Sequence, residues 1–347
     1  MKKVLLGMSG GVDSSVSALL LKQKGYEVIG ATMELFSGSC CNIDTNMDAK
    51  NVCNLIGIPH FTFNYKEEFK KYVIDDFIDC YSQCKTPNPC IECNRYLKFG
   101  KMYEKAQEMG CEYIATGHYA KTEYSEKYQR WVLKKSNSLK KDQSYVLWNI
   151  PKELIEHIIF PLGEFEDKEQ IREIARENNL KVANKPDSED ICFVPDGNYK
   201  RFLENNSNLK PLEGNIVNSE GKILGRHTGL YNYTIGQRKG LGISNPVPLF
   251  VLGFNEEKNE VIVGEEKELY KKEVLVDSIN LLLMDKITEW TEVEVKTRYS
   301  TKSAKAKIIQ EENKIRIVFE EPQRAITPGQ SAVFYKDDIV VGGGKII

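Results

Sequence analysis

A glycine-rich segment near the N-terminus has the residue types that bind an anion. Residues 9–14 (SGGVDS) directly follow the apolar run KVLLG at 3–7 and precede an amphipathic pattern over 14–24. Adjacent glycines allow a tight turn whose backbone N–H groups can approach a phosphate, and a helix N-terminus adds a positive dipole. No Gly-Lys-Ser/Thr follows, so this is not a Walker A motif. We predict a phosphate site rather than an ordinary strand-to-helix turn.

Cysteines are the second group that could carry chemistry. Four of the nine fall within fourteen residues, at positions 80, 84, 90 and 93. A structural zinc site usually has two closely spaced ligand pairs, and these spacings fit that arrangement poorly. Cys53, Cys80 and Cys111 lie in apolar or amphipathic patterns that indicate core. Cys40 and Cys41 follow a Ser-Gly-Ser segment and receive no predicted role.

The surroundings of Cys90 and Cys93 set them apart from the other cysteines. They follow TPNP at 86–89, which cannot be helical, and a helical pattern begins near Asn94. A thiol at a helix N-terminus has a lowered pKa and more of the nucleophilic thiolate, so both are candidate nucleophiles. Cys192 lies far away in sequence between two helical stretches. Its surroundings fit a buried thiol as well as a reactive one.

The elements that must position these groups follow from the apolar periodicity. In the first part of the chain, strands alternate with helices, which predicts βαβ units around a parallel sheet. The strands are predicted over 3–7, 27–33, 60–65 and 111–116, and the helices over 14–24, 67–81, 96–109 and 168–178. The phosphate segment is then the turn between the first strand and the first helix.

The pattern changes after NNSN at residues 205–208, which is typical of a linker. Residues 212–248 are rich in glycine and turns, and short strands follow from about Ile279, which indicates a small barrel or sandwich. The predicted fold is α/β, with a parallel-sheet domain over 1–205, a small central α+β domain over 206–277 and a C-terminal β-barrel over 278–347.

Motifs over the whole chain recur together in one known family. They are residues 9–14, NPxxxCN at 88–94, ATGHY at 115–119, KDQSY at 141–145, ICF at 191–193, TIGQRKGLG at 234–242, RY at 298–299 and TPGQSAVFY at 327–335. The combination resembles the bacterial tRNA-specific 2-thiouridylases, within the PP-loop ATP pyrophosphatases. The resemblance implies that ATP adenylates wobble uridine 34 in tRNAs for Lys, Glu and Gln, and that sulfur then replaces the C2 oxygen.

The resemblance also implies roles for individual positions. Cys93 would be the nucleophile, and Cys192 would carry a persulfide supplied by a cysteine desulfurase or a sulfur relay protein. The target base would be flanked by Asn88, Pro89 and Cys90. The tRNA would be contacted by His118, Lys141, Asp142, Gln143, Arg298, Tyr299 and Gln330. ATP, with Mg²⁺, would be bound by Gly7, Met8, Ser9, Gly10, Gly11, Val12, Asp13, Ser14, Met33 and Gly117.

One position departs from the family pattern. The family usually has Asp where this sequence has Cys90, and a thiol replaces neither an acid–base nor an orienting carboxylate well. Cys90, Cys93 and Cys192 would also supply three thiolates to a [4Fe–4S] cluster with one open iron position. Persulfide and cluster-dependent mechanisms therefore remain alternatives at this level.

Two other function classes fit parts of the sequence. A PP-loop synthetase acting on a small molecule would share the phosphate segment, but it needs neither two distant cysteines nor a C-terminal barrel. A non-catalytic RNA-binding module would leave the phosphate segment and the cysteines unexplained. A tRNA-uridine 2-sulfurtransferase accounts for all of them.

The overall charge conceals local excesses of basic residues. The 347 residues include 48 Lys and Arg against 50 Asp and Glu, a net charge of −2. Residues 121–141, 222–239 and 296–307 are nevertheless rich in Lys and Arg, and all three coincide with stretches that the resemblance implies contact tRNA. Because phosphate binding depends on local charge, we predict that these stretches form an RNA track.

Nothing in the sequence predicts a membrane segment. No apolar run approaches the ~18 residues of a spanning helix. The apolar stretch at 4–8 is shorter than the ~7 residues that a signal peptide core needs. The predicted location is the cytoplasm.

Overall fold

The computed structural model describes residues 1–36, 43–186 and 191–347, so Cys40 and Cys41 lie outside the described residues. Its strands are β1 (Lys3–Gly7), β2 (Glu27–Glu34), β3 (His60–Asn64), β4 (Tyr113–Ala115), β5 (Ala120–Ser125), β6 (Arg130–Lys135), β7 (Ile158–Ile159), β8 (Gly214–Asn218), β9 (Ile223–His227), β10 (Phe250–Asn255), β11 (Glu260–Gly264), β12 (Tyr270–Leu281), β13 (Thr291–Lys296), β14 (Ala304–Glu311), β15 (Lys314–Arg324), β16 (Ser331–Lys336) and β17 (Ile339–Ile346).

Its α-helices are α1 (Val12–Gln23), α2 (Ile43–Ile56), α3 (Lys66–Phe69), α4 (Asp75–Ser82), α5 (Pro89–Glu92), α6 (Met102–Glu108), α7 (Lys168–Glu177) and α8 (Tyr199–Asn206). Two π-helical segments join four of these α-helices into two longer helices. Lys70–Ile74 joins α3 to α4, and Cys93–Lys101 joins α5 to α6.

A parallel sheet forms the N-terminal part, in the strand order β3-β2-β1-β4-β7. Its central strand β1 buries Val4 and Leu6 against α1, α2 and α7, and Leu5 against the opposite face, where α6 packs. Helices therefore cover both faces, which confirms the predicted α/β architecture. The turn between β1 and α1 lies at the carboxyl edge of the sheet, where such folds bind ligands.

The helix that carries Cys90 and Cys93 begins earlier than predicted. It starts at Pro89, and the N-cap residue Asn88 accepts a hydrogen bond from the Cys90 amide at 3.2 Å. Proline suits the first helical position because its missing N–H needs no partner there. The predicted start near Asn94 is therefore wrong, and Cys93 lies one turn inside the helix.

A closed six-stranded barrel forms the C-terminal part. Its strands follow the order β12-β15-β14-β13-β16-β17, and β12 pairs back onto β17. Their inward side chains, among them Ile308, Ile317 and Phe334, build a separate core. The barrel expected from the sequence is confirmed. Its first strand, β12, begins at Tyr270, before the strands expected from about Ile279, because the charged residues at its beginning do not alternate with apolar ones.

The barrel and the parallel-sheet part are joined through a hairpin and a common core. Strand β6 of the β5–β6 hairpin pairs with β17 at Ile339, so the hairpin extends the barrel sheet. Val333, Tyr335 and Val340 of the barrel pack in the same cluster as Trp148. The hairpin was not predicted, because most residues of its two strands are polar, as in a surface loop.

A small four-stranded sheet lies between these parts in sequence. Its order is β10-β11-β8-β9, with a core that includes Ile216, Val251 and Val261. In the described ranges, no helix combines the length and the apolar character needed to cross a membrane.

Candidate active site

The turn between β1 and α1 has an open backbone and a pair of hydroxyls. Gly11 is the N-cap of α1 without a side-chain cap, and Gly10 has a φ of +68°, which glycine adopts without strain. Ser14 Oγ accepts a hydrogen bond from the Ser9 amide at 3.2 Å and lies 3.3 Å from Ser9 Oγ. The first amides of a helix have no acceptor within it. The turn is therefore built to receive an anion.

Two lysines from distant segments reach this turn. Lys168 Nζ lies 2.9 Å from Asp13 Oδ2. Lys185 Nζ donates to the Gly10 carbonyl at 3.0 Å and to Asp48 Oδ2 at 2.9 Å. Sequence reasoning missed both, because no spacing connects Lys185 to a carbonyl 175 residues earlier. They add positive charge where a polyphosphate would lie.

Gly117 forms one wall of the turn by close backbone contact. A Cβ added there would lie 2.9 Å from the Ser14 nitrogen and 3.0 Å from the Asp13 carbonyl carbon. The next-but-one residue, Tyr119, donates from its hydroxyl to Asp13 Oδ1 at 2.8 Å. Glycine at 117 thus lets β4 and its following residues press against the start of α1.

Gly117→Ala should therefore disturb the phosphate turn. We expect a loss of about 1–3 kcal/mol in unfolding free energy from overpacking, and a higher KM for ATP. Thermal unfolding and the ATP dependence of pyrophosphate release measure these effects. Gly253→Ala is the control, since a Cβ at Gly253 would meet nothing within 4 Å. A wild-type melting temperature and KM for the Gly117 variant would contradict the packing argument.

The other predicted ATP residues lie at the same edge of the sheet. Met8 accepts a hydrogen bond at its carbonyl from Thr32 Oγ1 at 2.9 Å, and Thr32 Oγ1 lies 2.8 Å from His60 Nε2. Met33 is half-buried and packs against two core clusters, one of which contains Cys93. Met33 thus packs between the core on one face of the parallel sheet and the region of the cysteines.

Cys93 and Cys192 converge on one aromatic cluster. Cys93 is buried in it, and Cys192 is half-buried against it, although the two are 99 positions apart in sequence. Phe77 and Phe193 of this cluster meet edge to face, with ring centroids 5.2 Å apart. The fold therefore brings the two predicted catalytic cysteines into one packed region.

Cys90 lies in a recess rather than on an open helix end. Its side chain is exposed to solvent, yet burial by surrounding groups raises the pKa of the thiol, and Lys98 acts in the opposite direction. The direction of this shift is opposite to the one expected for a thiol at a helix N-terminus, because desolvation disfavours the thiolate.

An aromatic side chain of the barrel borders this recess. Tyr299 is 43% exposed, and its pKa is raised by burial and by the charges of Asp142 and Cys90. Lys296 Nζ lies 5.3 Å from the centre of the Tyr299 ring and 5.7 Å from that of Tyr145. The recess therefore presents a thiol, a phenol ring and an ammonium group, which suit a planar polar ligand. Lys296 carries no motif and was predicted only as part of the basic stretch 296–307.

Several residues predicted to contact tRNA also form hydrogen bonds within the fold. Asp142 is buried and accepts hydrogen bonds from the amides of Ser136 and Ser144, at 3.1 and 3.3 Å. Gln143 Oε1 accepts from the Tyr119 amide at 2.9 Å. Lys141, beside them, is half-buried. The segment is shaped by these internal bonds.

His118 and Arg298 are also engaged within the protein. The His118 ring is buried beside Phe99 and Phe160, and burial and the charge of Lys98 hold its pKa well below the usual range. Arg298 donates to the carbonyls of Ile235, at 3.1 Å, and Ala325, at 2.8 Å. Arg298 thus ties the central sheet region to the barrel.

Gln330 lies at the contact between the barrel and the segment before Cys90. Its Nε2 donates to the Thr86 carbonyl at 2.7 Å and to the Pro87 carbonyl at 3.3 Å. The Thr86 amide in turn donates to the Pro328 carbonyl at 2.9 Å. The barrel loop therefore holds the entry to the cysteine helix.

The basic stretches differ in how far their charge is neutralised. In 121–141, Lys134 pairs with Glu123 at 2.7 Å and with Asp338 at 2.9 Å. Arg238 and Lys239, from the second stretch, are exposed and form no ion pair within the described parts of the chain. Arg238 borders an open groove of about 700 Å³ formed with residues 240–249. This part of the predicted RNA track retains its positive charge.

The cysteines do not form a ready-made metal site. Within residues 1–36, 43–186 and 191–347, no three His, Cys, Asp or Glu side chains are grouped closely enough to hold a metal ion. Cys90 opens to the recess while Cys93 is buried. This arrangement does not fit a three-thiolate cluster.

A parallel sheet with a glycine turn at the carboxyl end of its central strand defines a nucleotide-binding domain. Family models match accordingly: "tRNA methyl transferase HUP domain" over residues 2–196, "tRNA methyl transferase PRC-barrel domain" over 200–265 and "Aminomethyltransferase beta-barrel domain" over 271–346. A solved 4-thiouridine synthetase–RNA complex with bound ATP is a weak likeness, with 18% identity, a TM-score of 0.39 and coverage of 59% of this chain and 50% of that chain.

Close relatives identify the family. The tRNA-specific 2-thiouridylase MnmA of Clostridioides difficile (strain 630) is 50% identical over 354 residues, covering 99% of this chain and 98% of that protein. That of Acetivibrio thermocellus is 49% identical over 356 residues, covering 99% of each. The chain belongs to the tRNA-specific 2-thiouridylase family, which confirms the resemblance.

Proposed function

We propose that this chain catalyses ATP-dependent 2-thiolation of uridine 34 in tRNAs for Lys, Glu and Gln, in the cytoplasm. The observation that carries the proposal is the convergence of Cys93 and Cys192 on one cluster in the domain that holds the phosphate turn. The matching family models carry the words methyl transferase, but paired thiols favour sulfur transfer. In this proposal residues 1–205 catalyse adenylation and sulfur transfer, while residues 206–277 and 278–347 contact the tRNA.

The first step is adenylation of the base. ATP places its phosphates on the turn at residues 9–14, where helix amides and Lys185 face them. Uridine 34 leaves the anticodon stack and enters the recess beside Cys90 and Tyr299, so that its O2 can reach the α phosphate. O2 attacks the α phosphorus, the N3 proton of the uracil passes to solvent, and pyrophosphate leaves. The product is a uridine carrying AMP on O2.

Mg²⁺ would neutralise charge on the polyphosphate during this step. Asp13 is the carboxylate on the turn, and its two oxygens already accept from Tyr119 and Lys168. This suits a Mg²⁺ ion held mainly by phosphate oxygens and water, as is common for nucleotide sites. Lys168 fixes the direction of the Asp13 carboxylate.

The second step transfers sulfur. In the direct route, the terminal sulfur of a Cys192 persulfide bonds to C2, and the Cys93 thiolate attacks Cys192 Sγ. The S–S bond to the transferred sulfur breaks, a Cys93–Cys192 disulfide forms, and AMP leaves as C2=S forms. In the alternative route, Cys93 first takes the terminal sulfur. A dithiol reductant then restores both thiols, and a cysteine desulfurase or sulfur relay protein reloads Cys192.

The test uses purified protein with ATP, Mg²⁺, a persulfide donor and an unmodified tRNA transcript. We expect pyrophosphate release that depends on tRNA, and 2-thiouridine at position 34 by mass spectrometry of nucleosides. The matched control is the same transcript with cytidine at position 34. Equal pyrophosphate release with both transcripts, or without tRNA, would contradict the proposal and favour a small-molecule synthetase.

A further inference from the structure

An ion pair between a half-buried lysine and a buried glutamate joins the last strand of the barrel to the turn between Cys90 and Cys93. Glu92, between Cys90 and Cys93, is only 5% exposed. Lys345 Nζ, from β17, lies 2.9 Å from Glu92 Oε1 and 3.3 Å from Asp76 Oδ1 on α4. One ammonium thus connects the barrel to both helices that flank the cysteine site.

The electrostatics show that the two groups depend on each other. Burial raises the pKa of Glu92, and the charge and hydrogen bond of Lys345 oppose that rise. The carboxylates of Glu92 and Asp76 outweigh burial at Lys345, so its pKa is raised. Removing one partner of such a pair leaves an uncompensated charge in the interior, which then neutralises or moves toward water. Either response removes the connection between the barrel and the turn that carries Glu92.

A second set of hydrogen bonds also connects the barrel to the cysteine helix. The Ile346 amide donates to the Gln330 carbonyl at 2.8 Å, and Gln330 in turn holds the Thr86 and Pro87 carbonyls. The cysteine helix is therefore held before its first residue by Gln330 and within its first turn by Lys345. Both holding groups belong to the barrel.

We propose that Lys345 is a positioning residue for sulfur transfer, acting through Glu92 on the direction of the turn that bears Cys93. This inference rests on the proposed function, because sulfur transfer is the step that it serves. Glu92 directly precedes Cys93, which supplies a reacting thiol, whereas Cys90 on the same turn only borders the base and the phosphate turn belongs to a separate segment. Adenylation therefore depends on the pair less than sulfur transfer does. The ratio of the two step rates is the quantity that Lys345 controls.

The experiment compares Lys345→Met, Lys345→Arg and a matched control, Lys134→Met. Lys134 is also a half-buried lysine between two carboxylates, Glu123 and Asp338, but it lies at the junction of the hairpin and β17. Each protein is loaded with persulfide and assayed in a single turnover for 2-thiouridine and for pyrophosphate, and its melting temperature is measured. Glu92→Gln serves as a second variant of the pair that keeps the side-chain shape.

For Lys345→Met we expect thiolation to fall at least 10-fold and pyrophosphate release by less than 3-fold, with both rates recovered in Lys345→Arg. Glu92→Gln should also lower the ratio of the thiolation rate to the rate of pyrophosphate release. Lys134→Met should lose melting temperature without changing the ratio. Equal losses of both steps in Lys345→Met, or the same ratio in Lys134→Met, would overturn the inference. A wild-type protein that forms no 2-thiouridine would instead refute the proposed function.

Discussion

Cys192→Ser is expected to abolish 2-thiouridine formation while tRNA-dependent pyrophosphate release continues. Serine cannot carry a persulfide, so the loss should be at least ~10³-fold, as for removal of a covalent group. The adenylation step uses the phosphate turn and the recess, which serine at 192 leaves intact. Single-turnover assays that follow pyrophosphate and nucleosides in one sample measure the two steps separately.

The matched control for this variant is Cys111→Ala. Cys111 is a buried cysteine in a different core cluster from the one that contains Cys93 and Cys192. The Cys111→Ala enzyme should retain both pyrophosphate release and thiolation, with a modest loss in unfolding free energy. Thiolation that survives Cys192→Ser together with Cys93→Ser would end the persulfide mechanism.

Lys185→Met should lower the rate of pyrophosphate release by about 10²-fold, the usual loss when one charge-stabilising donor is removed. Lys185 holds the Gly10 carbonyl and places a positive charge beside the polyphosphate as charge shifts to the leaving pyrophosphate. Its loss also leaves Asp48 without the ion pair at 2.9 Å. Initial rates at saturating tRNA and varied ATP give kcat and KM separately.

Lys22→Met is the control for the loss of a lysine that bonds a backbone carbonyl. Lys22 donates to the Ile56 carbonyl from the far end of α1, away from the phosphate turn. We expect it to alter stability alone. A Lys185→Met enzyme with the wild-type rate and KM would show that Lys185 holds only the turn and not the nucleotide.

Local patterns sufficed to predict the elements that carry the phosphate turn. Strand β1 has the predicted bounds, Lys3–Gly7, because a short apolar run before paired glycines has few other folded forms. Helix α7 also matches its prediction closely, since its apolar residues recur with helical spacing. The paired cysteines were found through motif resemblance, and the structure then showed that they share a cluster.

The features that the sequence did not predict depend on contacts between distant segments. Pro89 looked like a helix breaker, but Asn88 caps the helix that it begins. The raised pKa of Cys90 comes from groups folded around it, which no local pattern reveals. Lys185 and Lys345 reach their partners across 175 and 253 positions. Their roles follow only from the folded chain.

The β5–β6 hairpin has a consequence for how this chain can be recombined. It is encoded in the N-terminal half but continues the barrel sheet through Ile339. A chimaera that exchanged the barrel alone would pair a foreign β17 with the resident hairpin, and would also replace Lys345 opposite Glu92. Residue 92 and the segments 120–135 and 327–346 should therefore be exchanged together, and a substitution in one of them should be matched in the others.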